Sequence, residues 1–405
     1  MPFSYSSSEQ PSDSPAGRGD FYDYIITGAG CAGLSLLMRF MQHPFFNNKE
    51  ILVIDASEKN RNDRTWCFWE TVPGLFEPVV HHQWTQVDFY SNYFSGRFNI
   101  EPYQYKMIRG IDFYNHVIDK TKQHANIHFI NGHVDALGNE GDKAFAVVDD
   151  RRFYGQYVFN SILFEDISRY PLKEGGFYYL LQHFKGWMIE TPIDFFNKDA
   201  AVFMDFRVGQ QNGTTFGYVL PLAANKALVE YTLFSPSLLT PEQYDEGLKN
   251  YISSYLKLDD YKITEEEFGV IPMTNYPFPR GEGNIVNIGT AGGQTKSSSG
   301  YTFRFIQKHT DDIIQALIAG KDPHIRKTFA QKRFELYDST LLQILSQKKA
   351  SGDKIFADLF KSNKAQDVFR FLDNETTISE ELKMMSGVPS GVFLPAAFKE
   401  MFKGV

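Results

Sequence analysis

The sequence predicts a two-lobed α/β protein with a helical C-terminal region, and three observations support this prediction. The aromatic and β-branched run Phe21–Thr27 breaks into Gly28-Ala29-Gly30-Cys31-Ala32-Gly33 and continues into an apolar helical stretch, which is typical of a nucleotide-binding β-turn-α unit. Between residues 182 and 272, consecutive strands alternate with short polar turns, which predicts an antiparallel sheet. The 405 residues exceed one compact layer, so two lobes are expected.

Composition excludes several classes of protein. The net charge is −8, from 41 basic and 49 acidic residues, and without a basic arm this argues against a nucleic-acid partner. Cys31 and Cys67 are the only cysteines and neither lies in a ligand cluster, so no disulfide framework and no metal site are expected. No apolar run reaches membrane-spanning length and no export signal is apparent, so we expect a cytoplasmic protein.

Residues 1–20 consist mostly of Ser, Pro, Gly and charged residues, which predicts a disordered lead-in. In the turn that follows the first strand, Gly28 permits the tight bend, Gly30 lets the backbone approach phosphates, and Gly33 lets helix and strand pack closely. A second strand, Glu50–Ile54, ends at Asp55, where an acid is expected to meet a ribose hydroxyl. This arrangement predicts a bound dinucleotide; the alternative is a glycine turn that serves packing only.

Two tryptophans follow the second strand, in the segment 62–70. The segment is either a turn pinned by an Asp-Arg pair that includes Arg64, or a pocket floor with Trp66 and Trp69 as walls.

Alternation between residues 85 and 105 predicts strands that cross to the second sheet. A helix over 107–118 and a strand over 126–130 then return to the first lobe. Arg109, at the start of that helix, is either a phosphate partner or a surface charge.

One strand of the second sheet carries a carboxyl among apolar neighbours. The period of two in residues 227–234 puts Leu228, Glu230, Thr232 and Phe234 on one face. If that face lines a pocket, desolvation raises the pKa of Glu230 and makes it a usable proton donor or acceptor. If the face meets solvent, Glu230 is an ordinary strand charge.

A third cofactor signal lies at residues 284–300, where a strand runs into a Gly-rich and Ser-rich loop before a helix over 301–317. A Ser cap at this helix would point its N-terminus at an anion. Two such helix N-termini suit FAD better than NAD, the first at the pyrophosphate and the second at the ring edge that becomes negative on reduction.

Two compositional features leave alternatives open. Aromatic residues make up 16% of the chain, which fits either an aromatic-rich core or a cavity whose π faces stabilise cations. Residues 326–364 hold nine basic and four acidic residues, which fits either a solvated helical cap or a weakly membrane-facing surface.

Four stretches together carry a resemblance to a known family. They are Asn62-Asp63-Arg64-Thr65-Trp66-Cys67-Phe68-Trp69, the segment 181–191, Val229-Glu230-Tyr231-Thr232, and Gly289-Thr290-Ala291-Gly292-Gly293 followed by 299–303. From Tyr22 to about residue 400 the chain resembles the bacterial-type, flavin-dependent lycopene β-cyclases. Flavin hydroxylases usually carry Gly-Asp where this chain has Gly289-Thr290, which looks like the cyclase form.

The resemblance implies a discontinuous Rossmann-type FAD-binding domain (hydroxylase/GR2-like) with an inserted antiparallel-sheet substrate domain and a helical C-terminal cap. The FAD-binding domain would comprise residues 21–84, 106–168 and 273–330. The substrate-binding domain would comprise residues 85–105 and 169–272, and the helical region residues 331–405.

The resemblance also implies a redox-neutral isomerase reaction on reduced FAD, with NAD(P)H as the reductant. A proton adds to the terminal double bond of an acyclic lycopene end, the neighbouring double bond captures the cation, and loss of a ring proton gives the β-ionone rings of γ- and β-carotene. Glu230 is implied as the acid-base residue. The implied cofactor residues beyond the first glycine turn and Asp55 are Arg64, Arg109, Val134, Gly289, Thr290, Ala291, Gly292 and Gly293, and the implied substrate residues are Trp66, Trp69, Thr232 and Tyr301.

A lipid-soluble substrate and a chain without a spanning helix together imply peripheral membrane association. Two alternatives to a cyclase remain. One is a flavin-dependent monooxygenase or prenyl-chain reductase on the same fold, and the other is a non-enzymatic binder of prenyl lipids.

Overall fold

The structure, a computed structural model, describes residues 21–167 and 177–402. The predicted disordered segment 1–20 lies outside the described residues, as do 168–176 and 403–405. The strands are β1 (Phe21–Thr27), β2 (Ile51–Asp55), β3 (Thr65–Glu70), β4 (His82–Trp84), β5 (Gln86–Tyr90), β6 (Ser95–Asn99), β7 (Gln104–Arg109), β8 (Ile127–Asn131), β9 (Ala136–Glu140), β10 (Lys143–Val148), β11 (Arg151–Asn160), β12 (Tyr179–Glu190), β13 (Ala200–Asp205), β14 (Thr214–Ala223), β15 (Lys226–Ser235), β16 (Lys262–Thr274), β17 (Gly281–Glu282) and β18 (Ile285–Asn287).

The α-helices of the described residues are α1 (Cys31–Gln42), α2 (Gly110–Thr121), α3 (Pro241–Tyr251), α4 (Phe303–Ile318), α5 (Phe329–Ser346), α6 (Gly352–Ser362), α7 (Ala365–Leu372), α8 (Ile378–Met385) and α9 (Ser390–Met401). Short 3-10 turns occupy Pro44–Phe46 and Glu77–Val79, and a π-helical turn, Ile252–Leu256, extends α3.

The first glycine turn directly follows β1, a central strand of an eight-stranded sheet. Its order is β17-β18-β11-β1-β2-β8, with β10 added to β11 and β9 to β10, and the pairs β11–β1, β1–β2 and β2–β8 are parallel. The central strands are buried because α1 and α4 cover the sheet with one shared apolar cluster. The glycine turn therefore leaves the carboxyl end of a central parallel strand, where α/β folds bind nucleotides.

A seven-stranded sheet forms the second lobe, in the order β16-β12-β15-β14-β13-β5-β6. All neighbours are antiparallel except β13 and β5. The prediction of an antiparallel sheet over residues 182–272 is confirmed, and β5 and β6 join its far edge. A third, three-stranded sheet has the order β3-β7-β4.

Two helix boundaries differ from the prediction. Residues 107–109 belong to β7, because Gln104–Arg109 pair in register with Thr65–Glu70, and α2 begins only at Gly110. The predicted Ser cap of α4 is also wrong, since the helix begins after Thr302, whose side chain makes no capping hydrogen bond.

The C-terminal helices share the core of the seven-stranded sheet. Phe356 and Phe360 of α6 and Phe369 of α7 are buried against Phe203 and Phe206 of the sheet. Each fully buried Phe contributes about 1.5–3 kcal/mol of transfer free energy. This region is therefore integral to the fold and not a detachable cap. No helix within 21–167 and 177–402 is long and apolar enough to cross a membrane.

Candidate active site

A cavity of about 470 Å³ runs from the first glycine turn to the inner face of the seven-stranded sheet. Its nucleotide end is lined by Gly30, Cys31, Ala32, Lys59, Arg64, Gly289 and Thr290, and its far end by Trp66, Cys67, Tyr105, Gln182, Phe184, Tyr218, Leu220, Glu230, Glu267 and Tyr301. One continuous space thus joins the glycine turn to Glu230.

The nucleotide end is built to receive an anion. Gly28 has a φ of +96°, which favours glycine and creates the bend before α1. No side chain caps the N-terminus of α1 and its first turn holds no acidic residue. A Cβ atom at Gly30 would meet nothing within 4 Å, so the backbone there borders open space. These features fit a pyrophosphate at the helix N-terminus.

Asp55 lies beside this turn and supports it. Its Oδ2 accepts a hydrogen bond from the Ala29 amide at 2.6 Å, and its Oδ1 lies 3.1 Å from Lys59 Nζ. The carboxylate therefore orients the glycine turn directly.

The second glycine-rich loop closes the other side of the cavity. A Cβ atom at Gly289 would lie 2.8 Å from Ala32 Cβ, so the two loops meet at this point. The buried Lys296 anchors the second loop, because its Nζ donates to Asp338 Oδ1 and Asn374 Oδ1, each at 2.8 Å.

Buried polar atoms near this loop fit a bound ligand. Gln182 Oε1 and Ser299 Oγ, both on residues that line the cavity, have no hydrogen-bond partner among the described residues. Buried polar groups are normally paired, so these atoms mark where a polar ligand would bind. An isoalloxazine ring carries such polar edges, and the residues present therefore fit FAD.

Aromatic side chains wall the far end of the cavity. The Tyr301 hydroxyl lies 3.5 Å from that of Tyr105 and 3.4 Å from that of Tyr218. Trp69 packs edge-on against Tyr301 with ring centroids 4.6 Å apart. Burial raises the pKa of all three tyrosines well above the usual value, so they present neutral hydroxyls and π faces.

Glu230 projects from β15 into this end of the cavity. It lies opposite Tyr218 on β14 and opposite Gly186 on β12, and Gly186 in turn lies opposite Glu267 on β16. Burial is the main reason that the pKa of Glu230 is raised well above its usual range, and the adjacent Glu267 raises it further. Glu230 therefore lines a pocket and is not an ordinary solvent-facing strand charge.

Several residues predicted from sequence meet at the cavity and others do not. Gly30, Cys31, Ala32, Arg64, Trp66, Glu230, Gly289, Thr290 and Tyr301 line it. Trp69 and Thr232 are buried behind its wall, and Val134 lies in the apolar core beneath the eight-stranded sheet. Ala291, Gly292 and Gly293 form the turn after β18, where the Gly292 and Gly293 amides donate to Ile288, Gly289 and Thr290 carbonyls.

Arg109 is paired with a carboxylate in the first turn of α2. Its guanidinium donates to both carboxylate oxygens of Asp112, at 2.7 and 3.0 Å, and it does not line the cavity wall. The nearby carboxylate explains the difference from a phosphate-binding role, because the local ion pair occupies the guanidinium.

Sequence reasoning missed Glu267, Tyr105, Tyr218 and Gln182. A usable signal was present for the first of these, since Gly186 interrupts an otherwise bulky strand and Glu267 ends a run of three glutamates. Their meeting depends on strand register, which the sequence does not reveal.

The fold and the site together define a flavoprotein-type architecture. The chain superposes with a TM-score of 0.63 on a flavoprotein/dehydrogenase from Cytophaga hutchinsonii, at 10% identity, covering 95% of this chain and 100% of the other. A geranylgeranyl bacteriochlorophyll reductase-like protein from Thermoplasma acidophilum gives a TM-score of 0.61 at 12% identity, covering 95% and 99%.

Within this class, the chain belongs to the lycopene cyclase family, since residues 23–397 match the family described as lycopene cyclase protein. It is 28% identical over 269 residues to the lycopene β-cyclase of Pantoea ananas, covering 62% of this chain and 63% of that protein. It is 24% identical over 273 residues to that of Pseudescherichia vulneris, covering 62% of each. The alignments thus span less than two thirds of these relatives.

Proposed function

We propose that this protein is a lycopene β-cyclase that uses reduced FAD in a redox-neutral reaction. The observation that carries the proposal is Glu230, a carboxyl whose pKa is raised by burial, in an aromatic-walled cavity that is continuous with the first glycine turn. Acid-initiated cyclisation needs this combination: a proton donor, a dry slot for an apolar chain, and π faces for a carbocation.

FAD would be held at the two glycine-rich loops. Gly28–Gly33 and the N-terminus of α1 would receive the pyrophosphate, with Asp55 supporting the turn. Gly289, Thr290 and the unpartnered Ser299 would face the ring. When bound in its reduced form, FAD supplies negative charge beside the developing cation.

The chain's own residues would handle the proton and the cation. Glu230 would hold a proton for the terminal double bond of an acyclic lycopene end or accept the ring proton that leaves. The faces of Tyr105, Tyr218 and Tyr301 would stabilise the tertiary cation, and the same aromatic wall would exclude water, which captures such cations. Cation capture by the neighbouring double bond and loss of one ring proton then give the β-ionone ring.

The reaction class is tested by anaerobic incubation of the protein with lycopene and chemically reduced FAD. We expect a product of unchanged mass with an altered absorption spectrum, and catalytic use of NAD(P)H when it replaces the chemical reductant. A product that gains hydrogen or oxygen, with NAD(P)H consumed once or more per turnover, would instead indicate a prenyl-chain reductase or a monooxygenase.

Peripheral membrane binding is the second expected property, because lycopene dissolves in lipid. Helix α9 exposes Leu394, Phe398 and Met401 at helical spacing, followed by the exposed Phe402. An apolar stripe of this kind suits the membrane interface, and the basic segment 326–364 suits anionic lipid.

Flotation with anionic liposomes measures this binding. The protein should float at low salt and be partly released by high salt, because salt screens the basic residues but not the apolar stripe. Leu394→Ser/Phe398→Ser should weaken flotation, whereas Ile193→Ser, which alters an exposed residue in the loop after β12, should not. A wild-type protein that never floats at low salt contradicts the expectation.

A further inference from the structure

Gly186 brings two carboxyl side chains together on the cavity face of the seven-stranded sheet. Three neighbouring strands place Glu230, Gly186 and Glu267 in one row. A Cβ atom at Gly186 would lie 3.0 Å from Glu230 Cγ and 2.9 Å from Glu267 Cγ. The space that a side chain would fill at Gly186 is thus bordered by both glutamates.

Glu267 is held in this position by one hydrogen bond and leaves one oxygen free. Its Oε2 accepts from Thr65 Oγ1 at 2.8 Å. Its Oε1 is buried and has no other partner among the described residues, and the Glu230 carboxyl is the neighbouring group able to share a proton with it.

In the part of the chain that the structure describes, the two glutamates lack a cationic partner. Within 21–167 and 177–402, no lysine, arginine or histidine forms an ion pair with either glutamate. The titratable groups that face the pair are Cys67, Tyr105, Tyr218 and Tyr301, all neutral at physiological pH because burial raises each pKa. Of the cations on the cavity wall, Lys59 pairs with Asp55. Arg64 donates to the Asp63 carbonyl at 3.3 Å and forms no ion pair with either glutamate among the described residues.

We propose that Glu230 and Glu267 share one proton across Gly186, and that Glu267 is a positioning residue that keeps Glu230 protonated until substrate is bound. Two close carboxyl groups without a cation cannot both ionise, so one proton stays with the pair. The catalytic meaning of the pair rests on the proposed function, whereas the shared proton does not.

The negative charge of Glu267 determines the direction in which the pKa of Glu230 changes when Glu267 is replaced. An ionised Glu267 raises the pKa of Glu230, so Glu267→Gln should lower that pKa and deprotonate Glu230 at a lower pH. Gly186→Ala should act in the same direction, because the added methyl group separates the two side chains. Glu266→Gln is the matched control, since Glu266 is on the same strand but pairs with Lys185 on the opposite face.

Infrared titration of the full-length, FAD-loaded protein tests the pair directly. The wild type should show a protonated-carboxyl band at neutral pH that is absent in Glu230→Gln, and its midpoint should fall by about one pH unit or more in Glu267→Gln. The alkaline limb of kcat/KM for lycopene should move down by the same amount, with activity at low pH largely kept. Glu266→Gln should leave both midpoints unchanged.

The proposal is overturned if the wild type shows no protonated carboxyl at neutral pH, or if the wild type and Glu267→Gln have equal midpoints. A variant that loses activity equally at every pH would likewise show a merely structural role for Glu267. If the wild type does not cyclise lycopene, the proposed function fails while the infrared titration still decides whether the proton is shared.

Discussion

Glu230→Gln is expected to lower the rate of lycopene cyclisation by roughly 10²- to 10⁴-fold while FAD binding is unchanged. Glutamine keeps the size and hydrogen-bonding capacity of the side chain but removes the transferable proton. Glu230→Asp restores the transferable proton and should recover part of the rate. The recovery is limited because the carboxyl is about one methylene too short to reach the reacting carbon. Turnover is measured with reduced FAD, and flavin absorbance of the purified protein reports cofactor content.

The control for this prediction is Glu190→Gln, which alters a carboxyl at the far end of β12 that pairs with Lys226. A near wild-type rate for Glu230→Gln with FAD bound would show that Glu230 has no acid-base role in the reaction. Proton handling would then pass to the flavin or to Glu267. Glu70 is a poor substitute, because its carboxylate is buried in ion pairs with Lys106 and Arg304.

Gly30→Val is expected to abolish FAD retention without unfolding the protein. The backbone at Gly30 has φ −85° and ψ −164°, which a β-branched residue adopts readily, and a Cβ atom there meets no protein atom within 4 Å. The valine side chain would instead occupy the space where backbone and pyrophosphate meet. Flavin absorbance after purification measures retention, and circular dichroism measures folding.

Gly391→Val is the matched control, since a Cβ atom at Gly391 also meets nothing within 4 Å and the residue lies far along the chain in α9. It should keep FAD. Stoichiometric flavin in purified Gly30→Val would show that the cofactor does not approach the first glycine turn, and the cofactor part of the proposal would fall.

Local patterns predicted the parts of the site that lie within one element. The turn at Gly28–Gly33 follows from glycine spacing, and the face of Glu230 follows from the two-residue period of a strand. Both depend only on near neighbours in sequence, so no knowledge of the fold was needed.

The parts of the site that could not be predicted depend on contacts between residues that the sequence pattern does not relate to each other. Glu267 reaches Glu230 through the registers of two strand pairs that span residues 186, 230 and 267. Arg109 fits a phosphate-binding role by position alone, but Asp112, one helical turn later, binds its guanidinium. In the loop before α4, Ser298 donates to Asp338 Oδ1 at 2.7 Å, a partner 40 residues away in sequence.

Cyclisation in D₂O tests the central claim most directly. If an exchangeable acid of the site starts the reaction, each ring formed should carry one deuterium from solvent and lose one hydrogen from carbon, so the product should be heavier than lycopene by one mass unit per ring. A product without solvent deuterium, or one whose mass shows added hydrogen or oxygen, would contradict acid-initiated, redox-neutral cyclisation by this protein.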